Sequence, residues 1–150
     1  MNFVVAVDGA PESERVLEHA TALAAAADAE LSLVHAVDPS VYEVMEGPVR
    51  EGSAAEERLV LESTEDAEER GEQLLEQVAN LVEELQPSVE VETALLYGAP
   101  AGAVSEYATE VAADGIFVGH RDLSEKQERV LGSVAKRLVD TSPVPVTVVR

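Results

Sequence analysis

Two short clusters carry the strongest chemical content in this chain. Gly119-His120-Arg121-Asp122 is followed, after nine residues, by Gly132-Ser133. A glycine directly after an apolar run lets a backbone approach a bulky ligand closely. A Gly-Ser pair at a helix start offers backbone N–H groups, a hydroxyl and the positive end of the helix dipole, which together suit an anion. The two clusters together describe a nucleotide lying from the fourth apolar run to the last helix, with its phosphates at the second cluster. On spacing alone, the alternative is that Gly119 and Gly132 are ordinary loop glycines and Ser133 a plain cap.

Other candidates are weaker. Asp8, which ends the first apolar run just before Gly9, reads either as a ligand contact or as a turn-forming Asx residue. His19, His35 and His120 are scattered over the pattern without metal-ligand spacing, and His35 reads as a hydrogen-bonded structural residue. His120 either touches a nucleotide or points into solvent. Lys126, Arg129, Lys136 and Arg137 cluster near the second motif, either to meet phosphate or to complement neighbouring Glu residues. No G-x-S-x-G elbow, Walker lysine motif or G-x-G-x-x-G turn is present. A phosphoacceptor receiver domain would want an Asp where Leu96-Tyr97-Gly98 stands. A catalytic reading therefore finds little support, with slow ATP hydrolysis at most.

These residues need a scaffold, and the hydrophobic pattern supplies one. Apolar, β-rich runs at Phe3–Val7, Leu31–Val37, Val89–Leu96, Ile116–Val118 and Val144–Val149 alternate with stretches of helical period. The spacings predict helices from Pro11 to about Ala27, from about Ala54 to Gln86, from Gly98-Ala99-Pro100 to about Ala112, and from near Gly132 to Asp140. Ser40–Gly52, with Gly47-Pro48 and no clear period, reads as a loop. The long acidic helix reads as a solvated face rather than a binding site. Strands separated by helices pair in parallel through right-handed crossovers, which predicts a single α/β domain over residues 1–150, a three-layer doubly wound sheet with helices on both faces. In such sheets ligands sit beyond the carboxyl ends of the strands, where the strand order reverses. Pro145 marks the last strand as an edge. An exposed edge of that kind is an aggregation hazard unless paired, and a homodimer joining two copies of the last strand is the simplest answer.

Composition narrows the partners. Thirty Asp and Glu stand against ten Lys and Arg, a formal charge of -20 with a pI near 4.2. That field repels phosphate backbones and anionic membranes, so nucleic acid and membrane are not expected as partners. The 46% apolar content is that of a globular domain, so the acidity does not mark a disordered tail. Without Cys, disulfides, thiolate zinc sites and Cys nucleophiles are excluded together. No stretch approaches the roughly 18 apolar residues of a membrane helix and no export signal opens the chain, so the expected location is cytoplasmic. Glu-rich, Lys-poor and aromatic-poor composition is that of proteins from salt-in halophiles, where molar salt shortens the Debye length to ~3 Å and screens self-repulsion. The alternative is an ordinary acidic cytosolic protein.

The spacing of the two glycine clusters resembles the motif G-x-x-G-x9-G-[S/T] that marks the ATP-binding branch of the universal stress protein family. The resemblance extends along nearly the whole chain. The opening Val5-Ala6-Val7-Asp8-Gly9-Ala10-Pro11-Glu12-Ser13 is similar to the family's first strand and turn. Leu33-Val34-His35-Ala36-Val37-Asp38 is similar to its second strand, Gly98-Ala99-Pro100 to its third-strand exit, and Pro143-Val144-Pro145-Val146 to its closing strand. This resemblance implies a five-stranded parallel sheet of order 3-2-1-4-5 and dimerisation through strand five. It implies a regulatory protein of the stress response that binds an adenine nucleotide, ATP or AMP. Ala6, Val7 and Asp8 would line the adenosine, and Ala36 would contact adenine through its backbone. Gly119, His120 and Arg121 would pass along ribose and phosphates, while Gly132, Ser133 and Val134 would hold the phosphate tail. One position departs from the motif: its second glycine is Asp122 here. An unwanted charge pair at ~4 Å and an effective dielectric near 20 costs about 4 kcal/mol, enough to abolish micromolar binding. Either Asp122 points away, or it helps hold Mg²⁺ bridging the phosphates. The alternative function is a non-nucleotide-binding dimeric scaffold that acts through protein partners.

Overall fold

A computed structural model describes residues 1–43, 63–120 and 131–150. Five strands, β1 (Asn2–Ala6), β2 (Glu30–Val37), β3 (Val91–Tyr97), β4 (Gly115–Gly119) and β5 (Val146–Val149), form one sheet of order β3-β2-β1-β4-β5. Every neighbouring pair is parallel, with Val5 beside Leu33 on one side and Phe117 on the other. The expected architecture and strand order are both observed.

The strands are apolar throughout because both faces of the sheet are covered. Alternate residues feed two separate cores. Val5, Leu31, Leu33 and Phe117 pack under α1 (Glu12–Ala27) and the acidic helix, here α3 (Thr64–Leu85). Val4, Val34, Ile116 and Val118 pack under α4 (Pro100–Glu110) and α5 (Ser133–Thr141). The third layer thus follows from strand periodicity alone. On α3 the buried stripe is Ala67, Gly71, Leu75, Val78 and Val82, while Glu65, Asp66, Glu69, Glu72, Glu76, Glu83 and Glu84 are exposed, as a solvated face requires.

Besides β3, which starts at Val91 instead of Val89, three boundaries differ from the sequence reading. A short helix, α2 (Pro39–Glu43), opens the stretch read as a loop. Its start is fixed by Asp38, whose Oδ1 accepts from the Ser40 N–H at 3.0 Å and the Ser40 hydroxyl at 2.6 Å, with Pro39 pre-set at the first helical position. The acidic helix is not continuous from Ala54. Ser63 is extended (φ -74, ψ 164), and its Oγ accepts from the Asp66 N–H at 3.2 Å, capping a helix that begins at Thr64. The rest of both stretches, residues 44–62, lies outside the described residues. Finally, β5 starts at Val146 rather than Val144, because Pro145 has no N–H to give the ladder. Its carbonyl still accepts from Ile116 at 2.8 Å.

All four long helices run antiparallel to the strands, so their N-termini lie at the carboxyl edge of the sheet. The chain leaves β1 first towards β2 and later, through α4, towards β4. The strand order therefore reverses between β1 and β4.

Candidate functional site

At that reversal lies a cleft of about 820 Å³. Seven of the sequence-derived site residues line it together: Ala6, Val7 and Asp8 from the end of β1, Ala36 from β2, Gly119 from β4, and Ser133 and Val134 from α5. Positions more than a hundred residues apart converge because parallel strands present all their carboxyl ends on one edge.

Asp8 forms the Asx turn that is one of its two readings. Its Oδ1 accepts from the Ala10 N–H at 2.9 Å and the Ser13 hydroxyl at 3.2 Å, an Asx turn that leads through Gly9 (φ 81) into α1. The half-buried carboxylate also forms part of the cleft wall. A carboxylate has two oxygens and about four acceptor sites, so the turn bonds do not by themselves exhaust it. His35 matches the structural reading: its Nδ1 lies 2.7 Å from the Val7 carbonyl oxygen. A carbonyl only accepts, so Nδ1 carries the proton and donates it to Val7. His35 also lines the cleft and a smaller adjoining cavity of about 240 Å³.

The two glycine clusters meet at the base of the segment between them. The His120 N–H bonds the Val149 carbonyl at 2.8 Å, extending the β4–β5 ladder, and the Gly132 N–H bonds the His120 carbonyl at 2.7 Å. His120 and Gly132 therefore contribute through backbone closure and do not line the cleft. Gly132 is the N-cap of α5, and Ser133, Val134 and Ala135 of its first turn line the cleft, so the positive dipole end opens on it. Arg121 and Asp122 lie outside the described residues, as do Lys126 and Arg129. Lys136 and Arg137 are exposed on α5 and do not line the cleft. Among the described residues no group of three His, Cys, Asp or Glu side chains is arranged to hold a metal ion. The residue of the Mg²⁺ expectation, Asp122, lies outside the described residues.

Sequence reasoning missed one wall. Arg70, Gly71, Gln73, Leu74 and Gln77 of α3 line the cleft. The recurrence of polar residues at 70, 73 and 77 along an otherwise acidic helix is the pattern that marks this wall, and the surrounding Glu residues mask it. Leu74 also brackets the β1–α1 turn, 3.8 Å from where a Cβ on Gly9 would stand.

No described helix is long and apolar enough to cross a membrane. Comparison with known proteins agrees with the geometry. A universal stress protein of Methanocaldococcus jannaschii is 32% identical over 148 residues, covering 99% of this chain and 81% of its own. A universal stress protein solved in complex with cAMP superposes with a TM-score of 0.72 at 25% identity, covering 100% of this chain and 97% of that one. One from Archaeoglobus fulgidus, solved in complex with dAMP, shares the fold with a TM-score of 0.67 at 24% identity, over 100% of this chain and 98% of its own. The family model described as "Universal stress protein family" matches residues 1–150. With strand order, cleft and end-to-end likeness in agreement, the chain belongs to the universal stress protein family.

Proposed function

We propose that this chain binds an adenine nucleotide, ATP or AMP, as a regulatory protein of the stress response. The observation that carries the reading is the convergence of Ala6, Val7, Asp8, Ala36, Gly119, Ser133 and Val134 on one cleft at the strand-order reversal. The cAMP complex of the 25%-identical relative supports an adenine nucleotide as the ligand class. In this reading Asp8 accepts from the base amine or a ribose hydroxyl, and the Ala36 backbone meets the adenine edge. Gly119 admits the ribose, and the first turn of α5 receives phosphate. His120 and Gly132 hold the ends of the phosphate segment together, and Arg121 passes beside it. The protein works in the cytoplasm of a salt-accumulating cell, as a homodimer joined through strand five. No residue is assigned a catalytic role.

A specific residue favours the second reading, a dimeric scaffold that binds no nucleotide. Asp122 places an anion where the ATP-binding motif has glycine. With Mg²⁺ bridging, that carboxylate is an asset; without it, triphosphate is disfavoured and AMP is the better ligand.

One experiment separates these. Nucleotide copurifying with the protein is identified, and ATP and AMP are titrated calorimetrically in molar KCl into wild type and Asp122→Gly. The nucleotide reading expects saturable binding by wild type and tighter ATP binding by the variant. Unchanged ATP affinity in the variant refutes the clash, and no binding at saturating ATP or AMP leaves the scaffold.

A further inference from the structure

Arg70, Gln73 and Gln77 lie at i, i+3 and i+7 on α3, hence on one flank, and that flank faces the cleft. Arg70 also borders the smaller cavity, which it shares with His35, Ala36 and Pro100. That places it at the carboxyl end of β2. Ser133 opens the other end of the cleft, beyond β4. Two strand spacings, β2 to β1 to β4, separate these ends by about 10 Å. Arg70 is the one Lys or Arg among the described lining residues. It is therefore not where phosphate enters α5, but where the far end of a mononucleotide falls.

A guanidinium is a planar group that stacks on aromatic faces, the larger purine face most of all, while adenine lacks the paired acceptors that its fork meets on guanine. A glutamine amide both donates and accepts, which suits an edge carrying an amine beside a ring nitrogen. We propose that Arg70 is a specificity-determining residue that recognises the purine base, with Gln73 and Gln77 as the adjoining polar edge. This inference rests on the nucleotide reading of the same cleft and adds to it the group that selects the base.

The test titrates adenosine, AMP and cytidine into the intact protein in molar KCl, for wild type, Arg70→Gln and Arg70→Lys. Arg70 is exposed on a helix face, so neither variant removes buried packing. Equal melting temperatures check that both fold. Loss of a desolvated guanidinium–ring contact weakens binding by about tenfold. Arg70→Gln weakens adenosine and AMP by the same factor and narrows their advantage over cytidine. Arg70→Lys does not restore either, because a point charge lacks the planar group. A loss confined to AMP, or rescue by Lys, makes Arg70 an anion contact and overturns the proposal, as does unchanged affinity for every ligand. Wild type that binds none of the three overturns the nucleotide reading itself, and this inference with it.

Discussion

Gly71 is where α3 comes closest to the sheet. A Cβ at that position would lie 2.8 Å from Leu95 Cδ1 and 2.9 Å from His35 Cδ2. Leu95 can swing its methyl aside, but the His35 ring is held by its bond to the Val7 carbonyl. Overpacking of this kind costs about 1–3 kcal/mol, against roughly 0.5–1 kcal/mol gained by replacing a mid-helix glycine. Gly71→Ala is therefore expected to destabilise. Gly102, a helical glycine on α4 where an added methyl would meet nothing within 4 Å, should respond with the opposite sign. Thermal denaturation of the two variants checks this, at about 2–4 °C per kcal/mol for a chain of this size. Two stabilising changes would show that α3 can move away from β2. At this scale the sequence was legible where chemistry is local, as in the Asp8 turn before Gly9. It was illegible where the third dimension decides. The recurrence at 70, 73 and 77 sets Arg70 and Gln73 on a different flank from Glu69 and Glu72, but only the packing of α3 on the sheet turns that flank to the cleft.

Elements were legible to within a residue or two wherever burial was two-sided, because continuous Val, Leu and Ile runs admit few other readings. β2 and β4 are of that kind. Errors came where a cap outranks periodicity: Asp38 starts α2 and Ser63 starts α3, each through one side-chain oxygen that a hydropathy pattern ignores. The two sheet edges differ in how they are guarded. β3 carries the exposed charge of Glu92, with Glu90 just before it, while Val144–Val149 carries none. Charges on an edge oppose strand addition, so β5 is the edge left able to pair. If two copies join there, a lysine at the exposed Thr147 sets like charges near the two-fold axis and desolvates an ammonium. Thr147→Lys is expected to convert a dimer to a monomer in sedimentation equilibrium at moderate salt, with the fold intact by circular dichroism. A wild-type monomer, or a variant dimer of unchanged affinity, removes β5 from the interface.

For the whole molecule, the charge of -20 and the site pull in opposite directions. Long-range repulsion disfavours any anionic ligand, yet four helix N-termini converge on the carboxyl edge and offer local positive potential where a phosphate would sit. Salt resolves the conflict, since screening removes the distant charges and spares contacts shorter than the Debye length. The repulsion has an identifiable local share. On α3 the pairs Glu65–Glu68, Asp66–Glu69, Glu69–Glu72, Glu65–Glu69, Glu68–Glu72 and Glu72–Glu76 are like-charge neighbours one turn apart. At 0.2–0.5 kcal/mol each, they cost roughly 1–3 kcal/mol at low ionic strength. Glu65 and Asp66 recover part of this by facing the positive helix end. The melting temperature is therefore expected to rise by about 5 °C or more between 0.1 and 1 M KCl and to level off beyond, because the Debye length has by then fallen from ~10 to ~3 Å. Glu72 takes part in three of those pairs and is exposed. Glu72→Gln should raise the melting temperature at 0.1 M and leave it nearly unchanged at 1 M, so that the two salt curves converge. A melting temperature that is flat or falling with KCl would sink the salt-adapted reading, and a constant offset between the curves would assign the Glu72 effect to helix propensity instead of charge.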